Sequence, residues 1–317
     1  MLVIDSQLSA LAEALGPKTC RDVALAPFTS MQVGGPADLL FRAESTEELA
    51  RAVRLARRHD VPWRVLGSGC NVLVADRGVG GLVIVNRAAS VFLDGEALRA
   101  ESGARMAIVA QKAVDAGLGD LAWAAGLPGT VGGAVVGNAG AFGGDIAATL
   151  RSGRVLEADG EVRERPNDWF QFRYRGSRLK AAVGNRDGGG DTGGCDCLVL
   201  EAAFGLEPGD REALRARVNE IMAWRRTRHP SGATMGSTFK NPPGHHAGRL
   251  IEQAGLKGHR VGGAQISEQH GNFFVNRGDA TAGDVLGLIE HAQAEVERQF
   301  GVTLELEIEL LGWREIA

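Results

Sequence analysis

Apolar positions recur with a helical period in six stretches of the chain, and in the intervals they alternate or run on unbroken. Leu8, Leu11, Ala12 and Leu15 share one face of a short helix that Gly16-Pro17 stops. Ser45 and Glu48 have capping-box spacing, and Leu49, Val53 and Ala56 then line up, predicting a helix over 45–60 that Pro62 ends. Met106, Val109, Ala110 and Ala113 mark a third helix over 105–116, closed by Gly117. The others are 210–228 (Leu214, Val218, Ile221, Met222), 247–254 closed by Gly255, and 281–300 (Val285, Leu288, Ile289, Ala292, Val296).

Strand patterns fill the gaps. Residues 63–66 form a strand that leads into a glycine loop; the apolar run resumes to Val74, turns at 78–81 and continues as a buried strand over 82–85. Residues 153–157 and 161–164 flank Asp159-Gly160, a hairpin signal, and 197–204 returns to the same sheet. Further strands fall at 260–267, 272–276 and 302–311. In the last, Val302, Leu304, Leu306, Ile308 and Leu310 point one way and Glu305, Glu307 and Glu309 the other. Residues 28–37 are a loop or short strand ending in a Gly-Gly-Pro turn, and the polar, glycine-rich 184–196 reads as a mobile surface loop. A middle of strands and loops, then a final third mixing helices and strands from residue 210 on, argues for an α+β chain with a second unit at its end.

The stretch 126–145, GLPGTVGGAVVGNAGAFGGD, fits neither period. It has eight glycines and no charge before Asp145, so it can neither make a good helix nor fill a core with side chains. What it offers is bare backbone, whose N–H groups can be aimed at one anion. The loop at 66–76, LGSGCNVLVAD, has the same character. Either alone could be a tight turn; two on one chain suggest a dinucleotide. GSGCN opens no long apolar helix, so it is not a Rossmann turn, and it lacks the GK[ST] tail of a P-loop.

Composition narrows the partners. At 317 residues and a formal charge of −4 the chain is an ordinary globular protein with no general affinity for nucleic acid, so a polyanionic ligand must meet local basic groups. No apolar run is long enough to cross a bilayer, and the acidic N-terminal stretch is not a signal peptide, which predicts a cytoplasmic protein. Cys20, Cys70, Cys195 and Cys197 have no zinc spacing and are expected to be reduced; no metal is predicted.

Arg175 beside Tyr174, Ser237 in an uncharged turn, and the glutamate face of the last strand have no obvious structural duty, although such glutamates are commonly just the wet side of a strand. Ser237 lies in no GxSxG elbow. A serine without a base can still donate a proton to a very basic carbon, such as an enolate. The basic run Arg225-Arg226-Thr227-Arg228-His229 suits a helix C-terminus as well as it suits an anion.

Seven ordered motifs then point one way: VGGPA (33–37), LGSGCNVLVAD (66–76), GLPGTVGGAVVGNAGAFGGD (126–145), YRGS (174–177), GSTFKNP (236–242), AGLKGHRVGGAQISEQHGNFFVN (254–276) and LELEIELLG (304–312). Spanning nearly the whole chain, they resemble the bacterial UDP-N-acetylenolpyruvoylglucosamine reductases, in particular the shorter subgroup. The resemblance implies an FAD-binding fold of the vanillyl-alcohol oxidase and p-cresol methylhydroxylase type. Two subdomains, 1–86 and 87–207, would clasp non-covalent FAD, and a C-terminal α+β substrate-binding domain, 208–317, would close over the substrate. It also implies that NADPH reduces the flavin, and that hydride then passes from flavin N5 to the enolpyruvyl ether of UDP-N-acetylglucosamine-enolpyruvate, giving UDP-N-acetylmuramate for peptidoglycan.

Carried over by motif, Ser237 is the proton donor, Arg175 the cation on the carboxylate, and Glu307 an acid or hydrogen-bond donor whose pKa burial should raise, with Glu305 and Glu309 solvated. Gly67, Ser68, Gly69, Cys70, Asn71, Gly129, Thr130, Gly132, Gly133, Asn138, Gly144 and Ile146 are expected at the cofactor. Tyr174, Arg228, Lys240 and Asn241 are expected at the substrate, the last three as candidates for its diphosphate. Cys70 stands where many relatives have serine, Phe142 where some have tyrosine, and Arg228 where relatives often have lysine. No obligate protein partner is implied. The rival readings are another alcohol or hydroxy-acid oxidase of the same fold, tethering FAD through Cys70, and a non-catalytic nucleotide-sugar binder.

Overall fold

The helices begin and end where their capping residues put them. In the computed structural model, which describes residues 5–94, 97–183 and 196–313, Ser45 Oγ accepts from Glu48 N at 3.1 Å and opens the helix Thr46–Arg58. Thr281 and Asp284 form a full capping box on Ala282–Phe300, and Gly117 and Gly301 close their helices with left-handed φ. The loop expected over 184–196 lies, up to residue 195, outside the described residues.

The chain divides into two units. The first comprises Met1–Cys20, Leu39–Ser68 and Gly81–Arg225. Trp63–Leu66 runs parallel to residues 82–85, and this sheet packs Leu82, Ile84, Leu39 and Phe41 against Leu49 and Val53 of Thr46–Arg58. A five-stranded antiparallel sheet follows, ordered Val162–Pro166, Leu150–Leu156, Leu198–Gly205, Ala97–Glu101, Val91–Asp94. The Asp159-Gly160 hairpin is present, with Gly160 at φ 86. Phe204, Phe170, Leu98 and Val109 fill the core beneath this sheet. Val91–Asp94 and Ala97–Glu101 carried no strand signal that the sequence reading used, nor did Thr19–Ala24 and most of Pro36–Ala43.

The second unit comprises Arg21–Asp38, Gly69–Gly80 and Arg226–Ala317. Its antiparallel sheet is ordered Ala233–Ser237, Phe273–Asn276, Ala264–Ile266, Arg260–Val261. The helices Ala247–Gln253 and Ala282–Phe300 bury Leu250, Ile251, Val285, Leu288 and Ile289 in a core shared with Phe239 and Phe274.

Three expectations are corrected. Within 126–145 a two-turn helix, Val131–Gly137, does form: Val131, Ala134 and Val135 are buried on one side, and that packing outweighs the poor propensity of its glycines. The continuous strand over 260–267 is instead a hairpin broken at Gly262-Gly263, where the Asp284 carboxylate accepts from Gly263 N. The final strand shrinks to Glu309–Leu311, which pairs in parallel with Val72–Val74. It is short because residues 305–307 bond a different neighbour, residues 238–240, before the chain changes partner. Cys20 and Cys70 are free, as expected.

One link in the second unit comes from far along the chain. Asp76 Oδ1 and Oδ2 accept from Ala282 N (2.8 Å) and Gly283 N (2.9 Å), satisfying the first donors of the helix Ala282–Phe300. Asp76→Ala is expected to destabilise the protein by about 1–2 kcal/mol, the cost of a lost helix cap. Denaturant unfolding measures it, and an unchanged midpoint would contradict the assignment.

Candidate active site

The second unit gathers four of the predicted residues, Asn71, Ser237, Lys240 and Glu307, onto adjoining backbone. Ser237 ends the strand Ala233–Ser237 rather than lying in a free turn, just after a register shift opposite Phe273 with Gly236 at φ 77. Beyond it the chain is zipped to the segment bearing Glu307: Glu307 N donates to Thr238 O at 2.9 Å, Phe239 bridges Leu306, and Lys240 N donates to Glu305 O at 2.8 Å. Asn71 brackets the same segment, its Nδ2 donating to Glu307 O at 3.1 Å while its carbonyl accepts from Glu309 N at 2.9 Å. The end of one glycine loop, the serine and the glutamate are thereby tied together by main-chain bonds.

Asn272, which the sequence reading passed over, closes the other side. Its Oδ1 accepts from Phe239 N at 2.9 Å and its Nδ2 donates to Phe239 O at 2.8 Å, while its carbonyl accepts from Thr238 N at 2.9 Å. A buried carboxamide here does the work of a neighbouring strand. His270 Nδ1 accepts from Asn272 N at 3.2 Å, and burial, followed by nearby Lys257, lowers the imidazole pKa. An asparagine beside a strand-like FFVN run was the available signal.

Other expected substrate residues have partners within the protein. Lys240 Nζ donates to Glu305 Oε2 at 3.0 Å, and Asn241 Oδ1 accepts from Ala247 N at 3.0 Å at the start of Ala247–Gln253. Arg228 is exposed in the last turn of Arg211–Arg228. Glu305 is exposed as expected, whereas Glu309 is half-buried rather than solvated.

In the first unit, residues 173–176 form a tight hairpin with Tyr174 and Arg175 at its tip, Arg175 at φ 53. Arg175 Nη1 donates to Gly140 O at 2.9 Å, and its guanidinium carbon lies 5.5 Å from the Tyr174 ring centroid. Asn138, buried, donates to Arg173 O at 3.1 Å and accepts from Ala147 N at 2.9 Å, so its amide holds the hairpin and the glycine stretch in register. These residues line a cleft of about 440 Å³, within the usual range of small-molecule sites. Tyr174 is 60% exposed at its edge.

The predicted cofactor glycines fall into two groups. A Cβ on Gly67 would come 2.4 Å from Thr130 Oγ1, so the two glycine loops lie against each other, and one on Gly144 would come 2.4 Å from Trp123 Cδ1. Gly132 N donates to Ser102 O at 2.8 Å and Val131 N to Ala104 O at 2.8 Å, which spends those amides inside the protein. Gly69 is likewise engaged, its carbonyl accepting from Ser30 N at 3.0 Å, and Ile146 is a core residue whose amide bonds Ala139 O. Gly129, by contrast, faces open space, and Gly133 meets only Thr130 Oγ1, at 3.8 Å. Gly137 and Gly143, not singled out from the sequence, are also open. This bare backbone suits a flat anionic cofactor such as FAD, which Gly129, Thr130 and Gly133 would hold. Ser68 and Cys70 are half-buried.

Two outcomes are expected from the Asn272 clamp. Asn272→Ala strands two buried backbone groups of Phe239 and should cost about 2–4 kcal/mol in chemical unfolding. Because His270 is held below its ordinary value of 6.5, its contribution is complete above that pH and is lost as pH falls through the lower folded value. An NMR titration of His270 giving a value above 6.5 would contradict this.

Comparison with known proteins identifies the family and the fold. Residues 37–165 match the family model of an FAD binding domain, and 228–311 match that of the UDP-N-acetylenolpyruvoylglucosamine reductase C-terminal domain. The chain is 43% identical to UDP-N-acetylenolpyruvoylglucosamine reductase 2 of Symbiobacterium thermophilum, over 90% of this chain and 89% of that one. It is 39% identical to the reductase of Bacillus velezensis over 93% and 94%. The crystal structure of the Thermus caldophilus reductase superposes with a TM-score of 0.77 at 36% identity, covering 92% of this chain and 98% of that one. The fold is the expected α+β FAD-binding type, and the chain belongs to the UDP-N-acetylenolpyruvoylglucosamine reductase family.

Proposed function

We propose that this chain is an NADPH-dependent flavoenzyme of the cytoplasm that reduces the enolpyruvyl ether of UDP-N-acetylglucosamine-enolpyruvate to UDP-N-acetylmuramate, with Ser237 as the proton donor. Among the described residues no helix is long and apolar enough to cross a membrane, which is compatible with that location. In this reading residues 1–86 and 87–207 serve FAD and 208–317 the sugar nucleotide. The observation that carries it is the pairing of Glu307 N with Thr238 O at 2.9 Å, which fixes Ser237 and Glu307 on neighbouring strips of backbone.

FAD, when bound, supplies the hydride chemistry, recharged by NADPH. The protein's part is to manage the charge. Once the terminal CH2 carbon of the enolpyruvyl group has gained a hydride, negative charge collects on the adjacent carbon and its carboxylate. Ser237 Oγ gives that carbon its proton, a transfer feasible for an ordinary hydroxyl because an enolate-like carbon conjugated to a carboxylate is more basic than the serine alkoxide left behind. Arg175, oriented by its bond to Gly140 O, places a permanent cation against the carboxylate. Glu307 donates a hydrogen bond to the same developing charge. Lys240, Asn241, Arg228 and Tyr174 are assigned to the nucleotide-sugar; Lys240 would exchange Glu305 for a phosphate.

Ser237→Ala should leave flavin reduction by NADPH nearly unchanged and slow reoxidation by the enolpyruvyl substrate by about 10²–10⁴-fold, the usual worth of a general acid. Stopped-flow absorbance separates the two half-reactions. Equal slowing of both would remove Ser237 from the proton-transfer step.

A further inference from the structure

The buried Asn272 carboxamide that clamps Phe239 is itself set by a histidine two residues earlier. His270 Nδ1 accepts from Asn272 N at 3.2 Å. A ring nitrogen that takes the N–H two positions on does what the side-chain oxygen of asparagine or aspartate does in an Asx turn. The ring is fixed from three sides. Phe273 meets it edge-on with centroids 4.8 Å apart, His229 does so at 6.0 Å, and a Cβ on Gly248 would come 2.9 Å from its Cε1.

This turn fixes more than itself. Asn272 takes Thr238 N on its carbonyl at 2.9 Å and both main-chain groups of Phe239 on its carboxamide, at 2.9 and 2.8 Å. Ser237 begins the same strip and lies opposite Phe273 across the ladder. A shift of the backbone at Asn272 therefore moves the segment that carries the Ser237 hydroxyl.

The bond that starts this chain of contacts depends on protonation. Nδ1 can accept only while the imidazole is neutral with its proton on Nε2; the charged ring has N–H at both positions and would face Asn272 N donor to donor. The charged groups that act on the ring are Lys257 and Glu252, themselves paired at 3.0 Å. His229 is a second titratable ring against it, and Phe273 and Gly248 bring no charge. Burial, followed by Lys257, keeps His270 neutral to below its ordinary value of 6.5, so the turn is intact at neutral pH and opens only as the pH falls beneath that value.

We propose that His270 is a positioning residue for proton delivery: its neutral ring holds Asn272, and through Asn272 the strip that aims Ser237 Oγ, and its protonation releases that aim. This rests on the reading of Ser237 as the proton donor given above.

The test follows both half-reactions of the FAD-loaded full chain by stopped-flow absorbance from about pH 5 to 8. Reoxidation by the enolpyruvyl substrate should fall about tenfold on the acid side with a midpoint below 6.5, while reduction by NADPH changes less than about twofold. His270→Asn keeps an acceptor for the same N–H and does not titrate, so it should hold the neutral-pH rate within about threefold and abolish the acid limb. His270→Leu has no acceptor and should slow reoxidation about tenfold at every pH; if it fails to fold, the wild-type and His270→Asn profiles decide. No acid limb in wild type, a limb that persists in His270→Asn, or equal limbs in both half-reactions would overturn the proposal and leave Ser237 as the donor. Equal slowing of both half-reactions in Ser237→Ala, run alongside, would remove the underlying reading and the proposal with it.

Discussion

Everything proposed for the second unit depends on one strip of backbone, residues 237–240, having hydrogen-bonding neighbours on both sides. Residues 305–307 supply one side and the Asn272 carboxamide the other. Neither is a regular strand over this length, so the strip is held by a few specific bonds rather than by a continuous ladder. Buried main-chain groups that lose such partners are expensive, which makes the position of Ser237 a discrete property of the fold and not an average over loop conformations.

In the first unit the constraint is steric. Glycine at 67, 132 and 144 lets two loops, a neighbouring strand end and an indole ring come within contact distance, whereas Gly129, Gly133, Gly137 and Gly143 border open space. Side-chain-poor backbone thus occurs here in two settings: some glycines permit close packing and others leave backbone uncovered. Their different duties are invisible in the sequence, where all eight between 126 and 145 look alike.

The long amphipathic helices were legible because capping and period agree: Ser45, Gly117, Thr281 and Gly301 mark boundaries that the structure keeps. The α+β class and the hairpin at Asp159-Gly160 were legible for the same reason. What failed were segments whose partner changes along their length. Residues 302–311 alternate like one strand, yet their first half bonds 238–240 and their last three residues bond Val72–Val74. The helix Val131–Gly137 was hidden because tertiary burial of two valines decided against local propensity. Among candidate site residues, Ser237, Glu307 and Arg175 were reached through motif resemblance; Asn272 needed coordinates, since its significance lies in the bonds it makes.

The parallel pairing of Val72–Val74 with Glu309–Leu311 also governs how the protein can be made. A ribosome delivers residue 72 long before residue 309, so until then that early strand presents a bare edge, and no local contact can substitute for a partner so distant in sequence. Closing so large a loop costs entropy that only the finished core returns. Assembly of the serine–glutamate pair therefore waits for the last part of the chain to be synthesised, and until then the early strand is an unpaired edge of the kind that invites pairing with another chain.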